Sequence, residues 1–313
     1  MRTAEQLAEA AAQRGADVLV LPEYFFTGAE HDLWRQLRTG VDDERCSSRR
    51  PQPMDDPEHF LHEIARLAQA HDIDIVAGTA VEAGHHQPQH RTSSHNKADK
   101  EEDEGHKLFN TCYYVGRDGE VKGRYTKRNL WHPERAVLSA ATPDSHPHDR
   151  TFVVTTRRGR QVRVGMLICW DLGFPEAFRE LLERPTGGEE TMVGPDVVFV
   201  PTCWYATDAG ARGIAWNKES EATLLDSICV ARAIENECVV AMCNVAGPSW
   251  PADAAPSDDT EEPEAVGVGR TSVSAPFLGS VARVEDEHEA LLFAAVDLRV
   301  LPDASAVYRC RAD

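Results

Sequence analysis

Apolar positions along this chain recur at two periods, and the two alternate. Residues 3–14 space Leu7 and Ala11 at helical interval among further alanines, which predicts an amphipathic helix ended by Gly15. ADVLVLPE then reads as a buried strand closed by Pro22. Helical spacing returns over about 57–71 through Phe60, Leu61, Ile64, Leu67 and Ala68, and DIDIVAGTAVEA follows as a strand. FNTCYYVGRDGEVKGRYTK predicts a hairpin turning at Arg117-Asp118-Gly119, and TFVVTTRRGRQVRVGMLIC a second one turning near Arg158-Gly159. A helix over 175–184, the strand DVVFVP and a long helix over about 219–235 come next, the last with Leu224, Ile228 and Ala231 on one face. The strand ECVVAMCNV and terminal strands near 270–284 and 290–297 complete the pattern. Helix alternating with strand predicts an α/β sandwich.

Three stretches break the pattern. Residues 41–56 and 248–264 are polar and Pro-containing, and 84–107 hold no aliphatic side chain larger than alanine. All three read as exposed insertions in a single domain spanning 1–313, since neither a repeat nor a clean linker is visible. His85, His86, His90 and His95 lie in one of them, but no cysteine or carboxylate framework accompanies them, so no metal site and no cofactor are expected.

Composition narrows the function. With 42% hydrophobic and 27% charged residues the chain is globular, and a net charge of −19 argues against nucleic acid or an anionic membrane as partner. No run approaches the about 20 apolar residues of a membrane span, and the N-terminal Ala/Glu helix has no leader-like apolar core. The eight cysteines form no CxxC pair or zinc spacing. A soluble protein of a reducing compartment, the cytoplasm, is expected.

Three polar residues stand where buried runs stop: Glu23 in VLVLPEY, Lys127 ending GRYTK, and Cys169 in VGMLICWD. Strand ends are where α/β sheets collect ligands and catalytic groups. Taken singly, each has an ordinary reading as a capping carboxylate, a solvated ammonium or a core thiol. Together they are complementary. A carboxylate can take the proton of a thiol and return it to a leaving amine, while an ammonium holds the negative charge of a tetrahedral intermediate. The turn after Cys169, entering a helix at Pro175, would aim backbone N–H groups at the same oxygen.

The segments VLPEYFFTG, GRYTKRNLWHPE and VGMLICWDLGFPE resemble, in order and spacing, the Glu, Lys and Cys boxes of the nitrilase (carbon–nitrogen hydrolase) superfamily. VVFVPTCWY, ARAIENECVVAMCNVAG and GRTSVSAPFLGSV resemble its supporting segments. The resemblance implies a four-layer αββα sandwich and a homodimer or higher homo-oligomer. It further implies Glu23 as general base and acid, Lys127 as stabiliser, Cys169 as the nucleophile forming a thioester, and Glu134 in WHPERAVLS as a second carboxylate orienting Lys127 and the attacking water. One departure is plain: family members open with an apolar strand before the first helix, and that first strand is missing here.

CWD after the nucleophile resembles amide and carbamoyl hydrolases more than nitrilases, so a small amide or N-carbamoyl compound is the expected substrate. Nitrile hydrolysis, or a weakly catalytic binding or redox-sensing role with Cys203 as resolving thiol, is the alternative. Tyr24, Trp131, Trp170, Trp204 and Tyr205, beside the boxes or at a strand end, are candidate pocket walls. Arg232 and Glu235, at i,i+3, read as a structural pair.

Overall fold

A computed structural model describes residues 1–31, 33–34, 57–83, 107–142, 151–182, 193–251 and 264–311. The expected insertion at 41–56 lies outside the described residues, as do all of the one at 84–107 but its last residue, the four histidines and most of 248–264.

The elements assemble into two sheets. One has the order β1-β2-β3-β4, built from Val18–Val20, Asp74–Ala83, Leu108–Val115 and Val121–Thr126. Its β1 and β2 are parallel, whereas β2, β3 and β4 run antiparallel. The other has the order β10-β9-β8-β7-β6-β5, from Thr151–Thr155 (β5), Gln161–Met166 (β6), Val197–Pro201 (β7), Val239–Cys243 (β8), Ser272–Ala275 (β9) and Gly279–Arg283 (β10). Within it β6, β7 and β8 are parallel.

The sheets pack face to face: Val76, Cys112 and Tyr114 of the first share a core with Val164, Met166, Val198 and Val200 of the second. Helices α1 (Arg2–Gln13) and α2 (Pro57–His71) cover the outer face of the first sheet, with Ala4, Ala8, Phe60 and Ile64 against Leu19, Ile75 and Ala77. Sandwiched between helices and the other sheet, β2 is buried along nearly its whole length. Beyond the second sheet lie α3 (Pro175–Arg179) and the long helix α5 (Ser220–Glu235), the short α4 (Gly210–Trp216) preceding it. The layers are therefore αββα.

Gly78 sets the spacing near the site. It has φ +69°, and a Cβ there would sit 2.2 Å from the Pro22 carbonyl oxygen. Only glycine lets β2 pass this close to the turn after β1, and the β2–β3 register shifts at the same place, between Val76 and Thr79.

Three expectations are corrected. The buried face of α5 is Ala222, Leu225, Cys229 and Ala233, while Leu224 is 37% exposed and Ala231 is exposed. Small residues there admit close approach to the sheet, and a count of large apolar side chains misplaces such a face. Helix α3 stops at Arg179 rather than 184. Residues 290–297 form no strand. They lie along a groove of about 1500 Å³ whose lining includes β1, and β1 is itself the edge of its sheet. An apolar, extended segment becomes a strand only where a neighbour supplies a ladder of hydrogen bonds. A short helix, α6 (Val300–Tyr308), follows where no element was expected.

Candidate active site

Three chain reversals bring the site together. Glu23 follows β1 beyond Pro22, Lys127 directly follows β4, and Cys169 lies just beyond β6. Pairing carries the first two side by side: the Lys127 N–H donates to the Asn110 carbonyl of β3 at 2.9 Å, which extends the β3–β4 ladder by one bond. Cys169 has φ +45° and opens a 3₁₀ turn over Cys169–Gly173. Tyr24 has φ +56°. Left-handed backbone at a non-glycine residue costs about 1–3 kcal/mol and persists only where its surroundings hold it. At both positions, the surroundings are the site.

Lys127 is wholly buried, and its Nζ donates at 2.8 Å to Glu23 Oε1 and at 2.8 Å to Glu134 Oε1. Glu23 Oε1 also accepts from Asn110 Nδ2 at 2.8 Å, and its Oε2 accepts the Cys203 N–H at 2.9 Å. Glu134 Oε1 takes the Tyr24 hydroxyl as a second donor, and Oε2 accepts the Trp131 N–H at 2.7 Å. Cys169, 6% exposed, directs its thiol at the Cys203 carbonyl at a long 3.8 Å, and the Cys203 N–H is the donor that Glu23 Oε2 accepts, so one residue joins the thiol's surroundings to the carboxylate.

Burial dominates the titration of this cluster. It raises Glu23 to about 7, Lys127 pulling the other way and Glu134 adding to the rise. Burial and the neighbouring Glu23 hold the Cys169 thiol well above its ordinary value, so at rest the sulfur carries its proton. For Lys127 burial opposes the charge, but Glu23, Cys169 and Glu134 together outweigh it and hold the ammonium above the usual lysine range. The arrangement thus contains a protonated thiol, a carboxylate poised near neutrality to accept that proton, and a permanent cation beside both.

Among the supporting residues Asn110 escaped the sequence reading, and the partners of Asp171, and of Arg232 beyond Glu235, became visible only in the fold. Asn110, within an apolar strand, is fully buried against Glu23, and a polar residue at a buried register was its only signal. Asp171 is fully buried and accepts from the Ile168 N–H at 3.0 Å, Asn129 N–H at 3.0 Å, Asn129 Nδ2 at 2.8 Å and the Tyr125 hydroxyl at 2.9 Å. It staples the turn that carries Cys169 and has no free face for substrate. Arg232 pairs with Glu235 at 2.7 Å as expected, and its Nε also donates to the Leu172 carbonyl at 3.0 Å, tying α5 to the same turn.

The aromatic candidates separate. Trp131, Trp170 and Trp204 form a row, with ring centroids 4.4 Å and 5.1 Å apart, and Trp170 and Trp204 belong to the apolar cluster that includes Cys169. Trp204 is buried and donates Nε1 to Glu221 at 2.6 Å. Tyr205 takes the Cys203 thiol on its hydroxyl at 3.7 Å, and with Glu23, Tyr24 and Cys203 it lines the groove along β1. Tyr24 is buried with its hydroxyl on Glu134. Among the described residues no group of three or more His, Cys, Asp or Glu could hold a metal ion, and seven described cysteines are free thiols.

A thiol, a carboxylate and an ammonium converging at strand ends of a two-sheet α/β sandwich are the equipment of a thiol hydrolase. The chain belongs to the carbon–nitrogen hydrolase family, whose sequence profile matches residues 1–304. It is 27% identical over 234 residues to 2-oxoglutaramate amidase of Bacillus subtilis, a match that covers 74% of this chain and 64% of that relative's length. It is 26% identical over 254 residues to deaminated glutathione amidase of Synechocystis, covering 77% of this chain and 69% of that one. In fold it resembles an amidase from Nesterenkonia sp. AN1, solved as a mutant in complex with butyramide, with a TM-score of 0.60 and 20% identity over 98% of this chain and 88% of that one. Saccharomyces cerevisiae Nit3, of the nitrilase superfamily, matches with a TM-score of 0.61 and 19% identity over 98% of this chain and 87% of that one. Among the described residues no helix is long and apolar enough to cross a membrane.

Proposed function

We propose that the protein hydrolyses a small amide through a thioester on Cys169. The observation that carries this reading is the buried ammonium of Lys127 held 2.8 Å from Glu23, with the Cys169 thiol and the Glu23 carboxylate both on the backbone of Cys203, one at its carbonyl and the other at its N–H. As Sγ attacks the carbonyl carbon, its proton passes to Glu23. The oxygen becomes an oxyanion beside Lys127 and the N–H groups of the following turn. Collapse breaks the C–N bond, and Glu23 delivers the proton to the departing nitrogen, which leaves as ammonia or an amine. Water then attacks the thioester, Glu23 taking its proton and returning it to sulfur, so thiol and carboxylate are regenerated with the acid product. A carbamoyl group would follow the same steps. The relatives carry amidase and nitrilase names, and the amidases match over more of this chain, which supports an amide over a nitrile; the row of three tryptophans offers an apolar wall to its acyl part. A redox role for Cys203 has less support, because its thiol turns to Tyr205 and only its carbonyl faces Cys169.

The test is ammonia release from a panel of aliphatic amides, ω-amides of dicarboxylic acids, N-carbamoyl amines and nitriles. Turnover of at least one amide or carbamoyl compound is expected, and none from either class sinks the reading. Because Glu23 must start deprotonated and titrates near 7, kcat/KM should rise with pH through an acid limb centred there. A limb near the ordinary carboxylate value would mean that Glu23 is not the base.

The chain is further inferred to form a homodimer. Phe277, Leu278, Val307 and Tyr308 are 40–65% exposed on the β9–β10 turn and α6, a cluster of apolar side chains that a partner would cover. Light scattering at micromolar concentration should report twice the chain mass, and a monomer would exclude it.

A further inference from the structure

Glu23 and Tyr24 are adjacent in sequence and reach the same ammonium by different routes. Glu23 meets Lys127 directly, whereas the Tyr24 hydroxyl donates to the Glu134 oxygen, Oε1, that Lys127 also contacts at 2.8 Å. The other oxygen of Glu134 is held by the Trp131 N–H at 2.7 Å, so the carboxylate is fixed at both ends. Tyr24 itself cannot swing away. Its ring is buried among Trp34, Val81, Leu108 and Leu130, 4.7 Å from the Trp34 ring, and its N–H donates to Thr79 Oγ1 at 2.8 Å across a left-handed backbone. A left-handed conformation maintained at this residue, with its only polar side-chain atom aimed at Glu134, suits a fixed donor better than a movable wall of a substrate pocket.

We propose that Tyr24 is a positioning residue: its hydroxyl occupies Glu134 so that Lys127 is shared between Glu134 and Glu23 instead of being captured by Glu134. This rests on the hydrolase reading for its consequence in catalysis, although the contact stands apart from it. The ionisable groups that act on one another electrostatically are Glu23, Lys127, Glu134 and Cys169, with Cys112, Cys203 and Tyr205 within electrostatic reach of Glu23 and Asp171 within reach of Lys127. Without the hydroxyl, Oε1 of Glu134 has Lys127 as its sole side-chain donor among the described residues. The ammonium then moves towards Glu134, and Glu23 loses part of the cation that opposes its protonation.

Tyr24→Phe keeps the ring and removes the donor. For the amide the wild type turns over fastest, kcat should fall on the order of tenfold, the worth of one hydrogen bond to a charged group. KM should stay within about twofold, and the acid limb of kcat/KM should move up by about half a pH unit. Alkylation of Cys169 by iodoacetamide, followed by mass spectrometry across the same pH range, should show the same upward shift. A merely structural tyrosine would lower the melting temperature and leave both limbs in place, and that result overturns the proposal. So does a change confined to KM, which would mark Tyr24 as a substrate wall. The alkylation arm needs no turnover: a protein inert towards every amide and every carbamoyl compound would refute the hydrolase reading, while the alkylation limb would still decide the role of Tyr24.

Discussion

Replacing Cys169 with alanine will reduce ammonia release from any amide substrate by at least about 10⁴-fold while leaving the fold intact. The size of the effect follows from the site having one nucleophile. Glu23 and Lys127 can polarise a carbonyl, but only the Cys169 sulfur can form the acyl intermediate. The variant should melt within a few degrees of the parent, because the thiol is small and its hydrogen bond to the Cys203 carbonyl is long, at 3.8 Å. Intact-mass spectrometry with a slow substrate should trap an acyl adduct on the wild type and none on the variant. An adduct on Cys203 or Cys243 instead, or activity within a factor of ten of the parent, would remove Cys169 from its assigned role.

Lys127→Met will damage both stability and activity, and the stability loss will depend on pH. Lys127 is fully buried between two carboxylates. Removing one partner from a buried ionic cluster costs about 3–5 kcal/mol, since the remaining charges lose their compensation. Glu23 already titrates near 7 in the folded protein, above the 4.5 of an exposed carboxyl. Its contribution to stability is therefore fully present below about 4.5 and is lost as pH rises through 7. Deleting the cation that opposes this rise pushes the folded value higher still. The variant should therefore fall furthest behind the wild type at pH 8 and recover much of the difference near pH 5. Urea melts at the two pH values measure this directly, and equal losses at both would show that the cluster is not held by charge. Where the variant folds, kcat should drop by about 10²–10³, the worth of a donor at a developing oxyanion.

How much of this was legible beforehand differs by element. Helix α2 and the β3–β4 and β5–β6 hairpins follow from local signals, helical spacing of Phe60, Ile64 and Leu67 and the turns at Gly119 and Gly159, so the sequence contains their causes. The face of α5 did not follow, because Ala222, Cys229 and Ala233 are selected by closeness to the sheet and not by hydrophobicity. Residues 290–297 have strand composition and no ladder, since pairing is a property of two segments. At the site, Glu23, Lys127 and Cys169 could be named from their places at the ends of apolar runs. Asn110, Asp171 and the Tyr24 hydroxyl could not be assigned partners, which lie 87, 42 and 110 positions away along the chain.

What the amino-acid order determined by itself was chemistry and periodicity: which side chains can donate, accept or attack, and which short stretches bury one face. What only the tertiary structure decided was sharing. That Lys127 lies between two carboxylates, that Asp171 serves the turn and not the substrate, and that Tyr24 reaches Glu134 all depend on contacts between segments far apart in the chain. Such contacts are decided by the packing of two sheets against each other, to which every element contributes and which no local window of sequence contains.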